Sequence, residues 1–182
     1  MRSEIHAACR GLSSREHAKQ SSTIAQKLFA LPEYTEAQVV ALYASLPEEV
    51  STDAIIKHSL KVGKRVVLPR IYPGFPLVEN ELEFCEIKKM EDLEVSVFGI
   101  REPNKNCPVV SLGKIDLLVA PVVACDEQGR RLGKGEGFYD RVLENFSGKT
   151  VALAFDCQMV EKIPAEEHDQ KVDQVLSVKR ET

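Results

Sequence analysis

Short apolar runs alternate along the chain with longer amphipathic segments, and this alternation constrains the fold more than any other feature. The runs have the length and composition of strands that are buried on both faces, and they occupy residues 39–44, 65–69, 116–123 and 151–155. The amphipathic segments have apolar residues at helical spacing, and they occupy residues 13–31, 52–62 and 138–146. Such strands separated by helices predict a parallel sheet covered on both faces, and therefore an α/β fold.

Local signals mark where several of these segments begin and end. Ser13 and Glu16 form the S-x-x-E pattern of a capping box ahead of the first amphipathic segment, and Pro32 follows that segment. The pattern weakens between residues 70 and 114, where prolines and glycines recur and only 82–87 alternates as a half-exposed strand would. We expect turns and excursions there, with room for an antiparallel strand.

Length and composition narrow the class of protein. A chain of 182 residues predicts a single domain over residues 1–182, and a hydrophobic content of 43% supports a globular core. A net charge of −4 argues against sequence-independent binding of nucleic acid, and no apolar run reaches the ~20 residues of a membrane-spanning helix. Five scattered cysteines without a C-x-x-C pair, and an N-terminus without an apolar signal region, predict a cytoplasmic protein with reduced thiols.

The loop with the most distinctive chemistry follows the longest apolar run. Four of the ten glycines fall between residues 129 and 137, where they allow the backbone to approach a ligand closely. Arg130, Arg131 and Lys134 add cations, and the helix predicted from residue 138 turns its positive end to the same place. Because ligands of α/β sheets bind beyond the carboxyl ends of the strands, these features predict an anion site, most naturally for phosphates.

Two questions stay open on these residues alone. The glycine spacing matches neither a Walker A loop nor the G-x-G-x-x-G dinucleotide motif, so a flexible turn with solvated arginines is the alternative to a phosphate site. Asp140, in the first turn of the predicted helix, suits either stabilisation of the helix dipole or coordination of a divalent cation.

The same loop carries a resemblance to a known family. Residues 131–141, RLGKGEGFYDR, resemble the R-L-G-x-G-x-G-[YF]-Y-D-R signature of the 5-formyltetrahydrofolate cyclo-ligases, also called methenyltetrahydrofolate synthetases. Further similar motifs occur in the family's order: EVST at 49–52, FGIREP at 98–103, AFDCQ at 154–158, IP at 163–164, HD at 168–169 and VDQVL at 172–176. The resemblance covers nearly the whole chain. It implies a three-layer α/β/α fold with a mostly parallel, Rossmann-like sheet of the NagB/RpiA/CoA-transferase-like kind.

The resemblance also implies an activity. Similar proteins use Mg-ATP to convert 5-formyltetrahydrofolate into 5,10-methenyltetrahydrofolate, with ADP and phosphate as products. The phosphoryl group passes to the formyl oxygen, N10 then attacks, and phosphate leaves, so catalysis rests on positioning and charge neutralisation. We therefore expect ATP and 5-formyltetrahydrofolate as the partners, Mg²⁺ as the cofactor, no nucleic acid or membrane partner, and a monomer.

Site residues follow from the same resemblance. Arg131 and Lys134 are the expected catalytic cations, and Asp140 and Asp169 the expected Mg²⁺ carboxylates. The expected ATP-binding residues are Arg2, Arg131, Leu132, Gly133, Lys134, Gly135, Glu136, Gly137, Phe138 and Tyr139. The expected substrate-binding residues are Tyr43, Ala44, Glu49, Lys134, Gly135, Glu136, Gly137 and Phe138. If the family resemblance is set aside, the sequence favours a simpler interpretation of three of these residues. Glu49 would be a solvated charge, Tyr43 a core tyrosine and Arg2 an ordinary terminal residue.

Three departures from the family pattern leave other functions open. The family's lysine four residues before Arg2 would fall ahead of Met1, Glu136 stands where Gly or Lys is usual, and Phe138 replaces the commoner tyrosine. A carboxylate beside phosphates repels them unless a cation offsets it. One alternative is therefore a nucleotide- or folate-binding protein of the same fold with weak or lost turnover. A second is a sugar-phosphate isomerase-like enzyme that uses the anion loop without ATP.

Overall fold

The helices and strands follow the predicted alternation over residues 1–72, 81–97, 99–164 and 170–178, which the computed structural model describes. The helices are α1 (Arg2–Arg10), α2 (Ser14–Ala30), α3 (Pro32–Glu36), α4 (Asp53–Lys61) and α5 (Phe138–Glu144). The strands are β1 (Val39–Ala41), β2 (Arg65–Tyr72), β3 (Glu81–Ile87), β4 (Leu93–Val95), β5 (Arg101–Pro103), β6 (Leu117–Ala120), β7 (Ala124–Cys125), β8 (Arg131–Leu132), β9 (Lys149–Leu153) and β10 (Gln174–Leu176). Short 3-10 turns occupy Met90–Asp92, Leu112–Lys114 and Asp156–Gln158.

Six strands form the central sheet in the order β10-β9-β6-β1-β2-β3. The pairs β1–β2, β1–β6, β6–β9 and β9–β10 are parallel, whereas β3 runs antiparallel to β2. The predicted α/β fold with a mostly parallel sheet is confirmed. The alternating segment 82–87 supplies the antiparallel strand for which the sequence left room. Two separate hairpins, β4–β5 and β7–β8, flank this sheet.

Helices cover both faces of the sheet, because successive side chains of each buried strand point to opposite sides. On one face, side chains of α1, α2 and α4 pack against the strands, and Ile24 and Ile55 are fully buried there. On the other face, Val142 of α5 packs against the sheet. Within β1, Val40 belongs to the first cluster and Ala41 to the second. This two-sided burial explains why the strands are continuous apolar runs.

The first long helix begins where the capping pattern predicts. The Oγ atom of Ser13 accepts a hydrogen bond from the Glu16 backbone N–H at 3.1 Å, and α2 ends at Ala30, ahead of Pro32. The Glu16 carboxylate accepts from the Gln20 amide at 3.0 Å. Like the other helices of the described ranges, α2 lacks the combined length and apolar character that crossing a membrane requires.

Several short elements lie outside the segments that the sequence predicts, among them α1 and β10. Helix α1 buries only Ile5 and Cys9, one turn apart, so its apolar stripe is too short to stand out in the pattern. Strand β10 has three residues and extends the sheet by pairing in parallel with β9. The predicted strand at 116–123 is shorter than expected, since β6 ends just before Pro121, which has no backbone N–H to donate.

Candidate active site

A cavity of about 940 Å³ opens beyond the carboxyl ends of the central strands. Residues that follow β1 and β6 line it, together with Pro69 and Ile71 of β2 and residues of β5. The segment 131–141 closes the opposite wall. Such an edge is where parallel sheets bind ligands, and the volume lies within the range of small-molecule sites.

The Glu49 segment, residues 43–52, forms one wall of the cavity. Glu49 is only 6% exposed, and its Oε2 atom accepts a hydrogen bond from the Leu46 N–H at 2.8 Å. Its backbone carbonyl oxygen lies 3.0 Å from Nε2 of His17 on α2. Its Oε1 atom lies 2.9 Å from Nζ of Lys134. The carboxylate is thus fixed at the wall and faces a cation, so its interpretation as a solvated charge is wrong.

Tyr43 and Thr52 hold the two ends of this segment together. The Tyr43 hydroxyl donates to the Val50 carbonyl at 3.3 Å, and the Thr52 hydroxyl donates to the Tyr43 carbonyl. Thr52, which is fully buried, also accepts from the Ser45 N–H at 3.1 Å. Burial, reinforced by the nearby Glu49 carboxylate, raises the pKa of Tyr43 well above its usual range. Tyr43 is therefore a neutral core residue that also borders the cavity.

The glycine loop, residues 129–137, starts from a turn that Asp126 organises. Asp126 is fully buried, and its Oδ1 atom accepts from the N–H groups of Gln128 and Arg130, each at 3.0 Å. Its Oδ2 atom accepts from the Ile163 N–H at 3.0 Å. The Arg130 guanidinium pairs with the same carboxylate at 3.4 Å and lies outside the cavity lining. The expectation that Arg130 contributes a cation to the anion site is therefore wrong.

Beyond this turn, the glycine loop presents backbone to the cavity. Gly135 and Gly137 have φ angles of +105° and +67°, which L side chains rarely adopt. A Cβ atom at Gly135 would meet open space. The Lys134 side chain is 43% exposed and reaches across to Glu49. Accessible backbone next to a cation is an arrangement that suits the binding of phosphates.

Arg131 and Asp140 form an ion pair at the same wall. Nη2 of Arg131 donates to Oδ1 of Asp140 at 2.6 Å, with side-chain exposures of 3% and 30%. The alternative of a turn with solvated arginines is therefore wrong. From α1, Nε of Arg2 donates to the Gly133 carbonyl at 3.0 Å, so an arginine at the start of the chain reaches the glycine loop.

The structure brings together nearly all of the residues that the sequence nominated. The cavity is lined by Arg2, Tyr43, Ala44, Glu49, Arg131, Leu132, Gly133, Lys134, Gly135, Glu136, Gly137, Phe138, Tyr139 and Asp140. The remaining one, Asp169, lies outside the described residues. Burial raises the pKa of Tyr139, which therefore stays neutral beside Arg131.

Two further lining residues, Arg101 and Glu102, received no role from the sequence. Arg101 pairs with Asp53 at 2.7 Å. Glu102 is 9% exposed, accepts from the Ile71 N–H at 3.2 Å, and has a pKa raised by burial. Both belong to the FGIREP motif, which carried the family resemblance without indicating that it faces the cavity.

The described residues suit a Mg²⁺ ion that is bound jointly by protein and substrate phosphates. They contain no cluster of three or more His, Cys, Asp or Glu side chains that could enclose a metal ion. Mg²⁺ commonly takes one or two carboxylates together with substrate phosphates and water. Asp140 supplies such a carboxylate beside the glycine loop, so the site suits an ion that arrives with phosphates better than one held by protein alone.

Nearly the whole chain resembles known proteins in sequence and in fold. The profile of the 5-formyltetrahydrofolate cyclo-ligase family matches residues 1–178. The chain belongs to this family. Its members are ligases of folate metabolism, so the protein is an enzyme, and the resemblance stated from the motifs is confirmed.

Similar proteins come from distant organisms. The 5-formyltetrahydrofolate cyclo-ligase of Haemophilus influenzae is 34% identical, with 97% of this chain and 95% of the relative covered. That of Escherichia coli K12 is 35% identical, with 88% of each chain covered. The solution structure of Aquifex aeolicus 5,10-methenyltetrahydrofolate synthetase is 30% identical, has a TM-score of 0.82, and covers 96% of this chain and 86% of its own. These matches exclude the sugar-phosphate isomerase-like alternative.

Proposed function

We propose that the enzyme converts 5-formyltetrahydrofolate into 5,10-methenyltetrahydrofolate at the expense of ATP, with Mg²⁺ as cofactor and ADP and phosphate as products. One observation carries the proposal: a buried carboxylate, Glu49, and an exposed glycine loop with Lys134 face each other in a single cavity. The carboxylate suits a heterocycle rich in N–H donors, and the loop suits phosphates. Family membership supplies the reaction class.

The chemistry needs an activated formyl oxygen. An amide oxygen is a poor nucleophile and hydroxide a poor leaving group, so transfer of the γ-phosphoryl group of ATP to that oxygen creates a group that can depart. N10 of the folate then attacks the formyl carbon, the ring closes, and the C–O bond breaks as phosphate leaves. A reaction of this type needs reactants held in line and negative charge neutralised.

Lys134 and Arg131 are the proposed catalytic cations. Lys134 is partly exposed and can move its ammonium group from Glu49 to a phosphate, whereas Arg131 is held in place by Asp140. The backbone N–H groups of Gly133, Gly135 and Gly137 are the proposed donors to phosphate oxygens. These groups act as fixed electrostatic partners, which is the most effective kind of transition-state stabilisation.

Glu49 is the proposed anchor for the folate ring. Its carboxylate accepts the pteridine N–H groups, while Tyr43 and Ala44 supply the adjoining apolar wall. Because Glu49 and Lys134 are paired at 2.9 Å, the two substrates would meet where these side chains now touch. In this proposed arrangement the formyl group would lie next to the phosphates, as the reaction requires.

Asp140 is the proposed Mg²⁺ ligand among the described residues, and Asp169 is proposed from the family motif alone. Bound with ATP, Mg²⁺ would neutralise phosphate charge. We propose that ATP and 5-formyltetrahydrofolate are the substrates, that the enzyme has no nucleic-acid or membrane partner, and that it acts as a cytoplasmic monomer. Light scattering would test the monomeric state.

A binding protein with weak or lost turnover is the second candidate, and Glu136 favours it. This exposed carboxylate lines the cavity on the glycine loop, where it opposes phosphate binding unless Lys134 or Mg²⁺ offsets it. The two candidates differ in turnover, not in ligands.

The deciding experiment mixes the protein with 5-formyltetrahydrofolate and Mg-ATP. We expect methenyltetrahydrofolate absorbance to rise together with phosphate release, in equal amounts, and to require both substrates and the metal. Binding of both ligands without product would favour the second candidate. Product formed without ATP would contradict the proposal outright.

A further inference from the structure

Cys9 and Cys157 come together although 148 positions separate them in the sequence. Cys9 lies on α1 and Cys157 in the 3-10 turn Asp156–Gln158, and their Sγ atoms are 3.3 Å apart. A disulfide bond needs about 2.05 Å, so closure requires a movement of roughly 1.2 Å. We propose that these two thiols form a reversible disulfide that fastens α1 to the core next to the candidate ATP site.

Other cysteines have different neighbours. Sγ of Cys125 lies 3.5 Å from Sδ of Met159, and Sγ of Cys107 lies 4.0 Å from the Asp92 carbonyl oxygen. All five cysteines are free thiols in the structure. Sulfur–sulfur contact between cysteines thus singles out Cys9 and Cys157 as the pair prepared for oxidation.

The two thiols differ in solvent exposure, and we expect them to react in a fixed order for this reason. Cys157 is partly exposed, whereas Cys9 is buried, and burial raises the pKa of Cys9 to about 12. Because the thiolate is the nucleophile, the accessible Cys157 is the thiol that meets an external oxidant first. Cys9, in contact with it, is then the resolving thiol.

The step is thiol–disulfide exchange with a small-molecule disulfide, RSSR, such as oxidised glutathione. The Cys157 thiolate attacks one sulfur of RSSR, forms a mixed disulfide and releases RS⁻. Cys9 loses its proton to solvent, and its thiolate attacks the Cys157 sulfur and releases the second RS⁻. Two protein thiols are oxidised, one small disulfide is reduced to two thiols, and the protons end on the released thiolates.

The disulfide would join two elements that each contact the cavity wall. At its first residue, α1 reaches the glycine loop through the bond from Arg2 to the Gly133 carbonyl. Next to Cys157, the buried Gln158 amide donates to the Val122 and Val123 carbonyls, at 2.8 and 3.2 Å, in the wall that follows β6. A covalent bond between the two would therefore prevent α1 from separating from the site. Disulfides in cytoplasmic proteins are usually reversible sensors of this kind.

The test exposes the full reduced chain to glutathione buffers of increasing oxidised fraction. After an acid quench, mass spectrometry should show a loss of about 2 Da, no retained glutathione, and a peptide that links Cys9 to Cys157. Hydrogen exchange of the α1 amides should slow by about tenfold on oxidation and recover with dithiothreitol. Failure to form this link at any buffer composition, or unchanged exchange of α1 once it has formed, would overturn the proposal.

Three variants separate the roles of the thiols. Cys9→Ser should stop the reaction at a glutathione adduct on Cys157, and Cys157→Ser should leave Cys9 unmodified over the same time. Cys107→Ser, which removes a different buried thiol, should cross-link as the wild-type chain does. The wild-type measurement decides the matter even if a variant folds poorly: a lasting adduct on Cys157, or a link to another cysteine, contradicts the proposal.

Discussion

At the Glu49 segment the chain is held by buried side chains, whereas at the glycine loop it offers exposed backbone and a partly exposed lysine. The side chains of Glu49, Thr52 and Tyr43 each make a hydrogen bond to a backbone group of the same segment. Across the cavity, Gly135 adopts a backbone conformation that a side chain would strain, with open space beside it. A flat ring with fixed donors suits the rigid wall, and a flexible polyanion suits the open one. We therefore propose that the enzyme recognises one substrate mainly through side chains and the other mainly through main chain.

Removal of the Lys134 charge, which pairs with Glu49 across the cavity, should have the largest effect on turnover. We expect Lys134→Met to lower turnover by about 10²–10³-fold, the loss typical of one electrostatic partner of the transition state. Lys134→Arg should retain part of the activity because it keeps the charge. The exposed Lys162→Met is the matched control and should leave turnover unchanged. Initial rates of methenyltetrahydrofolate formation measure all three, and full activity in Lys134→Met would exclude this lysine from catalysis.

Two glycines at positive φ differ in the space around them, so their substitution should affect stability differently. At Gly129, with φ +77°, a Cβ atom would lie 2.2 Å from the Val172 carbonyl oxygen, whereas Gly135 has no neighbour within 4 Å. We expect Gly129→Ala to lower the free energy of unfolding by about 3 kcal/mol, from overpacking and strain together. Gly135→Ala should cost about 1 kcal/mol, from strain alone. Urea denaturation compares them, and equal losses would contradict the distinction.

The stability of the protein should depend on pH through Glu102, a lining residue of the cavity on β5. Burial raises the pKa of this carboxyl above its ordinary value near 4.5. Its contribution to stability is therefore complete below that value and is lost as the pH rises through the folded-state pKa. Glu102→Gln keeps an acceptor for the Ile71 N–H, so it should gain stability relative to the wild type between about pH 4 and pH 7.

Urea unfolding across that range measures the difference, and the exposed Glu94→Gln on β4 is its control. A Glu102→Gln curve that stays parallel to the wild-type curve would show that this carboxyl ionises as freely in the folded chain as in the unfolded one.

The smallest effect is expected on the open side, at Glu136. Glu136→Lys replaces repulsion of phosphates by attraction at an exposed position, so we expect ATP affinity to rise by only about two- to threefold. Calorimetric titration with Mg-ATP measures it. A severalfold loss of affinity would show that this side chain does not lie beside the phosphates.

The sequence predicted correctly those features of the structure that depend on residues close together in the chain. The runs at 39–44 and 65–69 predict strands because burial on both faces demands continuous apolar residues, and the structure has β1 and β2 there. Prediction from the sequence failed for Arg130, because the neighbouring Asp126 carboxylate, held by the Ile163 N–H, captures that guanidinium. It also overlooked α1 and β10, whose apolar patterns are too short to be distinctive.

The sequence by itself determined the layers of the fold, the glycine loop and the family, because hydrophobic periodicity and motif spacing depend on neighbouring residues. Only the tertiary structure decided which remote groups meet: Glu49 with Lys134, Arg2 with the Gly133 carbonyl, and Cys9 with Cys157. Ion pairs, hydrogen bonds and sulfur contacts form only between atoms that lie a few ångströms apart. The pattern of residues along the chain does not indicate which distant segments folding brings that close together.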